Sequence, residues 1–121
     1  MILLDDFYSI IHKDHEEGSV KSRISIDGRH KILEGHFPGF PIVPGVCMMQ
    51  IIREIMEVIK ATPLRIVEAD NMKFLSVINP EKDSIVDVHI DYTEELECLR
   101  INASMFSGAV VFFKIKATLK Q

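Results

Sequence analysis

Within twenty residues the chain gathers a histidine, two Pro-Gly pairs and the start of an apolar helix: Gly35 to Glu54 reads GHFPGFPIVPGVCMMQIIRE. Each Pro fixes φ and removes a backbone donor, and each following Gly can take turn conformations closed to other residues. Pro38-Gly39 and Pro44-Gly45 therefore hold a stiff loop carrying His36 over the beginning of a helix. A helix start offers free N–H groups and the positive end of the macrodipole. An imidazole beside such an end can move a proton on a carbonyl compound whose oxygen the N–H groups bind. The stretch reads as an active site built from His36 and the helix start at Gly45.

The elements that must position it are one helix and a sheet. From Val46 to Lys60 apolar residues cover most of the helical circumference, so the helix is expected to be buried, and Thr62-Pro63 ends it. Its polar remainder, Gln50, Arg53, Glu54, Glu57 and Lys60, forms one narrow stripe. Ahead of the loop, residues 7–14 and 19–26 read as a hairpin around His15-Glu16-Glu17-Gly18. Beyond the helix, Leu64 to Ile78 reads as two extended runs around Asp70-Asn71. Strands then follow over Ser84–Tyr92, Cys98–Phe106 and Ala109–Leu119, with turns at 79–83 and at Ser107-Gly108. One domain over residues 1–121 is expected: an α+β fold with five or six antiparallel strands wrapped around one long helix. Such a sheet leaves an edge exposed, and edge pairing into a dimer is the economical remedy.

Bulk properties narrow the function. A formal charge of −4 and seven Phe against two Tyr and no Trp supply neither a basic stripe nor a stacking platform, which argues against a nucleic-acid binder. MILLDDFYSI lacks the positive region of a signal peptide, and the apolar run Ile42–Ile52 is too short to span a bilayer. A cytoplasmic protein without membrane contact is the expectation. Cys47 and Cys98 form no disulfide framework, both read as reduced in apolar settings, and no metal site or cofactor is expected.

At GHFPGFPIVPGV the sequence resembles the beta-hydroxyacyl-acyl-carrier-protein dehydratases (FabA/FabZ-like), which have the hot-dog fold. The hairpin, the Met72-Lys73-Phe74 strand, the Asn79-Pro80 turn and the last two strands also fall where that family has theirs, so the likeness covers nearly the whole chain. It implies a hydro-lyase of fatty-acid or related lipid or polyene biosynthesis. Its substrates would be 3-hydroxyacyl thioesters on acyl carrier protein, and it would work as a homodimer or higher oligomer. His36 would remove the α-proton, and the Gly45 N–H would hold the thioester oxygen. Phe37, Phe40, Val46, Met48, Met49 and Phe74 would line the acyl tunnel. The family's acid is a helix carboxylate five residues past that Gly, working with the histidine of the other subunit. Here the position is Gln50, and an amide cannot deliver a proton at neutral pH. Glu54, one turn later on the same face, is the candidate replacement.

Other readings stay open beside this one. An acyl thioesterase would use the same helix start, and a dehydratase-like partner subunit would need no acid. Gln50 would otherwise satisfy a buried backbone group, and Glu54 would belong to a solvated stripe. Cys47 at the helix start is expected in the core rather than as a nucleophile. His12, His15, His30 and His89 are expected at the surface, while Arg29, His30 and Lys31 could meet an acidic carrier protein.

Overall fold

The computed structural model describes residues 1–34 and 41–121, so His36, Phe37 and Phe40 lie outside the described residues. Six strands form one antiparallel sheet: β1 (Tyr8–Glu16), β2 (Ser19–Ile26), β3 (Arg65–Phe74), β4 (Ile85–Glu94), β5 (Leu99–Ser107) and β6 (Val110–Lys120). Their spatial order is β1-β2-β4-β5-β6-β3. The helix α1 (Gly45–Lys60) packs its buried residues into the same core as the inward faces of the strands. This is a hot-dog architecture, a sheet wrapped on one central helix.

The alternation explains the wrapping. Val86, Val88 and Ile90 of β4 are buried with Leu99, Ile101, Ala103 and Met105 of β5, and with Phe113, Ile115, Ala117 and Leu119 of β6. Residues opposite one another share a face, so each apolar set meets the next across the ladder and then α1. In β2 the inward apolar set of Val20, Ile24 and Ile26 is interrupted by Ser22, which falls on the same inner face. Its hydroxyl is buried and donates to the Val88 carbonyl oxygen at 2.9 Å, which removes the cost of placing it there. A three-residue 3-10 turn, Lys31–Leu33, leads toward the loop.

Three sequence expectations change. The Leu64–Ile78 segment is one strand rather than two runs: β3 stays paired with β6 throughout, with bulges where register shifts between Ile66 and Glu68 and between Ala69 and Asn71. An extra residue breaks period-two alternation without breaking the strand. The helix is less evenly buried than its composition suggests, for Val46 is 69% exposed and the polar-stripe residue Glu54 only 4% exposed. His30 is not a surface side chain. Its Nδ1 accepts from the Ile32 N–H at 3.0 Å to cap the 3-10 turn, its Nε2 lies 3.0 Å from an Asp6 carboxylate oxygen, and its ring packs edge-on to Phe7.

The two sheet edges differ. β1 beyond Tyr8 and Ile10 is mostly polar and carries a bulge at the Ile10/His12 shift, both of which discourage further pairing. β3 is exposed along nearly its whole length and ends in apolar side chains, with Met72 41% and Phe74 54% exposed. Among the described residues no helix is long and apolar enough to cross a membrane.

Candidate functional site

Pro44 is the N-cap of α1, in extended conformation and with no side-chain capping bond; the first turn holds no acidic residue. The Cys47 and Met48 N–H groups fold back onto the Pro44 carbonyl oxygen at 3.0 and 3.3 Å. The amides of Gly45 and Val46 stand ahead of that ladder, at the positive end of the helix. Gly45 is favoured by its surroundings rather than by its dihedrals: a Cβ there would lie 2.7 Å from Cε1 of Phe74 and would displace that ring. The absent side chain lets the end of β3 close on the helix start. Phe74 in turn stacks on Phe113, with ring centroids 4.8 Å apart.

A cleft of about 340 Å³ opens at this junction, lined by Ile42, Val43, Pro44, Gly45, Met48, Phe74 and the residues 75–77. That is the lower end of the range for small-molecule sites. Its wall is mostly apolar, with backbone amides at one end, which suits an acyl thioester better than a sugar or a nucleotide. A larger cavity of about 680 Å³ lies at the other end of the helix among Lys60, Glu94, Glu95, Glu97 and Gln121. Among the described residues it touches none of the expected site residues. Of the expected tunnel residues, Met48 and Phe74 line the cleft. Met49 instead packs partly buried against the core, and Val46 projects outward.

The polar side chains of the helix do something the spacing did not announce. Glu54 sits at 4% exposure under the N-terminal segment. Its Oε2 accepts from the Leu3 N–H and from Gln50 Nε2, both at 2.9 Å. Its Oε1 accepts from the Leu4 N–H at 2.9 Å and the Tyr8 hydroxyl at 3.0 Å. Four donors thus converge on a group that, as a carboxylate, is acceptor-only. Gln50 Nε2 also donates to the Met1 carbonyl oxygen at 2.6 Å, so both amide protons are committed. Residues 3–8 are folded tightly for this purpose. Phe7 N–H bonds Leu3 C=O at 2.7 Å, Asp5 N–H bonds Tyr8 C=O at 2.7 Å, and Asp5 takes a positive φ of 63°.

One expectation is corrected: Glu54 is not part of a solvated stripe, its buried carboxyl being engaged with the N-terminal segment. Gln50 satisfies a backbone group, as one of the two readings of it expects, and also bonds Glu54. Arg53 and Glu57 form an i, i+4 ion pair at 3.0 Å, and Glu57 also accepts from the Leu64 N–H at 2.7 Å, fastening the chain as it leaves the helix.

Electrostatics follow this geometry. Burial pushes the Tyr8 hydroxyl well above the ordinary phenol range, and the charge of Glu54 and the bond to it add to the effect. Cys47 is buried beside the helix start, and its thiol is pushed up, first by desolvation and then by Glu54. A thiol so placed is a poor nucleophile. Cys98 differs from expectation: it is only half-buried, and its Sγ lies 3.9 Å from a Glu95 carboxylate oxygen. Arg29 and Lys31 are exposed, as a surface patch needs. Among the described residues no three His, Cys, Asp or Glu side chains are grouped to hold a metal ion.

Comparison with known proteins gives three kinds of likeness. A family model described as ApeI-like, ApeI dehydratase, matches residues 12–109. Over 87 residues the chain is 28% identical to 3-hydroxyacyl-acyl-carrier-protein dehydratase FabZ of Fusobacterium nucleatum, a match covering 68% of this chain and 62% of that protein. The chain thus spans less than two thirds of the curated relative that it matches. Among solved structures, the dehydratase heterocomplex ApeI:P from Xenorhabdus doucetiae superposes with a TM-score of 0.74 at 18% identity, covering 93% of this chain and 96% of that one. A hypothetical thioesterase with coenzyme A from Streptococcus pneumoniae has a TM-score of 0.68 at 9% identity, over 98% and 91% of the two chains. At those identities the structural likeness speaks for the fold.

Proposed function

Since the chain belongs to the ApeI-like dehydratase family, we propose that it is a subunit acting on 3-hydroxyacyl thioesters, and that a second chain of the same fold supplies the acid it lacks. The thioester would enter the cleft at the start of α1, with its oxygen on the Gly45 N–H and its acyl chain against Met48 and Phe74. His36 would take the α-proton. Electron density moving onto the thioester oxygen would be stabilised by the helix end, and the 3-hydroxyl would leave as water once protonated.

The observation that carries the proposal is the occupation of Glu54. Its four accepted bonds come from the fold itself. Donating a proton to substrate would require first acquiring one amid four hydrogen-bond donors and then leaving that nest. Gln50, with both amide protons committed, can offer substrate only its carbonyl oxygen, which accepts and does not donate. A homodimer of this chain would therefore place an amide at the acid position of both sites. Pairing with a carboxylate-bearing chain restores one of them. The ApeI:P neighbour, a heterocomplex by its description, is consistent with such an arrangement. The carrier would be acyl carrier protein, met by Arg29 and Lys31 near the loop, in the cytoplasm and with no cofactor.

The test is to incubate the purified chain, and its Gln50→Glu variant, with 3-hydroxybutyryl and crotonyl thioesters. Interconversion by the variant, far above the wild type alone, supports the dehydratase reading. Release of free thiol by the wild type would instead favour thioester hydrolysis. Full interconversion by the wild type alone would contradict the need for a second chain.

A further inference from the structure

His30 holds the turn from which the chain sets out toward His36, and the inference drawn from it rests on the reading of His36 as the base. It is the N-cap of the 3-10 turn Lys31–Leu33, and its side chain is only 10% exposed. Its Nδ1 accepts from the Ile32 N–H, while Nε2 faces Asp6 Oδ2, each across 3.0 Å. A ring nitrogen that accepts an N–H bond carries no proton of its own. The proton of the neutral imidazole therefore sits on Nε2, where it donates to Asp6. Edge-on contact with the fully buried Phe7, at a centroid distance of 5.3 Å, fixes the plane of the ring.

Backbone bonds hold the rest of the turn. Asp27 N–H bonds Phe7 C=O at 2.8 Å, and His30 N–H bonds Asp27 C=O at 3.2 Å. Inside the turn, Leu33 N–H bonds His30 C=O and Glu34 N–H bonds Lys31 C=O, both at 3.1 Å. The Ile32 N–H comes ahead of the first of these bonds, so no carbonyl of the turn can reach it. The His30 ring supplies that acceptor, as a Ser, Asp or Asn does at an ordinary helix start. In the sequence only Gly35 stands between Glu34, the C-cap of the turn, and His36. The direction in which the turn ends is thus the direction in which the chain leaves for the base.

We propose that His30 is a positioning residue for the base. Its bond to the Ile32 N–H sets the end of the turn that leads to His36, and Asp6 holds the ring in the neutral tautomer able to make that bond. His30 would touch no substrate and would work through His36. Among the described residues it does not line the cleft at Gly45, Met48 and Phe74, where the thioester would bind. Loss of the bond should therefore slow proton abstraction and leave affinity nearly alone, since a small misplacement of a reacting group lowers rate steeply.

The experiment is α-proton exchange of a butyryl thioester in deuterium oxide at neutral pH, followed by mass spectrometry over a range of thioester concentrations. This substrate has no 3-hydroxyl to lose, so exchange needs the base and no acid. The Cα–H bond breaks, its electron pair forms the enolate whose charge rests on the thioester oxygen, and the proton goes to His36. A solvent deuteron then returns to Cα. His30→Asn keeps an acceptor at the N-cap without the ring, and His30→Leu keeps an apolar side chain against Phe7 without the acceptor. His30→Leu is expected to lower the maximal exchange rate at least about tenfold, with the half-saturating concentration within about twofold of the wild type. His30→Asn is expected to stay within about threefold of the wild-type rate. A packing role alone would reverse that order. His30→Ala takes the place of His30→Leu should circular dichroism show the latter unfolded. With His36→Ala silent, His30→Leu as fast as the wild type, or His30→Asn as slow as His30→Leu, overturns the inference and leaves the base in place. Exchange that survives His36→Ala, or is missing from the wild type, fails the base reading instead, and the inference falls with it.

Discussion

Gln50 donates an amide proton to Oε2 of Glu54 at 2.9 Å, one helical turn along α1. The pair serves the N-terminal segment: Gln50 holds Met1, and Glu54 holds Leu3, Leu4 and Tyr8. In the proposed reading, chemistry at the Gly45 end of the helix and architecture around Gln50 and Glu54 are kept apart.

Glu54→Gln tests the architectural role. The amide keeps one acceptor oxygen but turns an NH2 group toward buried donors, so about 2–4 kcal/mol of stability is expected to be lost. Urea unfolding with an unchanged m-value would report it. A loss below about 0.5 kcal/mol, typical of a surface position, would place Glu54 outside the framework.

Alkaline pH should act through Tyr8. Burial and the charge of Glu54 raise its folded pKa above the ordinary phenol value of about 10, so the folded state holds its proton more tightly than the unfolded state. The stabilisation is fully present below about pH 10 and is lost as pH climbs above that. Thermal melting is expected to fall steeply above pH 10, with a flatter profile in Tyr8→Phe. The same variant should cost roughly 1–3 kcal/mol at neutral pH, for the donor lost to Glu54. Parallel pH profiles would contradict the assignment.

Gly45→Ala probes the cleft. The new Cβ would lie 2.7 Å from the Phe74 ring, which at 54% exposure has room to swing outward. Folding stability should change by less than about 1 kcal/mol, while a displaced ring and a methyl at the amide end weaken crotonyl-thioester binding about tenfold, one hydrogen bond's worth. Calorimetric titration reads this directly, and unchanged affinity would remove Gly45 from the binding site.

Cys47 should be sluggish toward iodoacetamide at neutral pH, because burial and the charge of Glu54 both oppose its thiolate. Peptide mapping after limited alkylation is expected to find the label on the half-buried Cys98 first. Preferential labelling of Cys47 would reopen a nucleophilic role.

What could be read from the sequence was whatever is local. Period-two alternation placed β4, β5 and β6, and the apolar run after Pro44-Gly45 placed α1, because burial on one face writes itself into neighbouring residues. β3 was misread as two runs where the bulges slip the alternation by one residue. The role of Glu54 was hidden for a different reason. Its donors at Leu3, Leu4 and Tyr8 lie 46 to 51 residues away, and only tertiary folding brings them under the helix. On a helical wheel a carboxylate that organises a terminus looks the same as one facing solvent. His30 likewise reads as part of a basic cluster until its ring is seen to cap the turn at Lys31–Leu33. Gly45 was legible as a turn residue, whereas its close approach to Phe74 required the packing of β3 against the helix start.

The most direct test of the central claim is complementation between two inactive chains. In the proposed reading the wild type would carry the base His36 without an acid, and a His36→Ala, Gln50→Glu chain would carry an acid without the base. Dehydration of 3-hydroxybutyryl thioester, followed as crotonyl absorbance, is predicted to be near background for each chain alone and to rise at least about a hundredfold on mixing, the scale of one general acid. Equal rates for the mixture and for the wild type alone, abolished in both by Glu54→Gln, would contradict the account and return the acid role to Glu54.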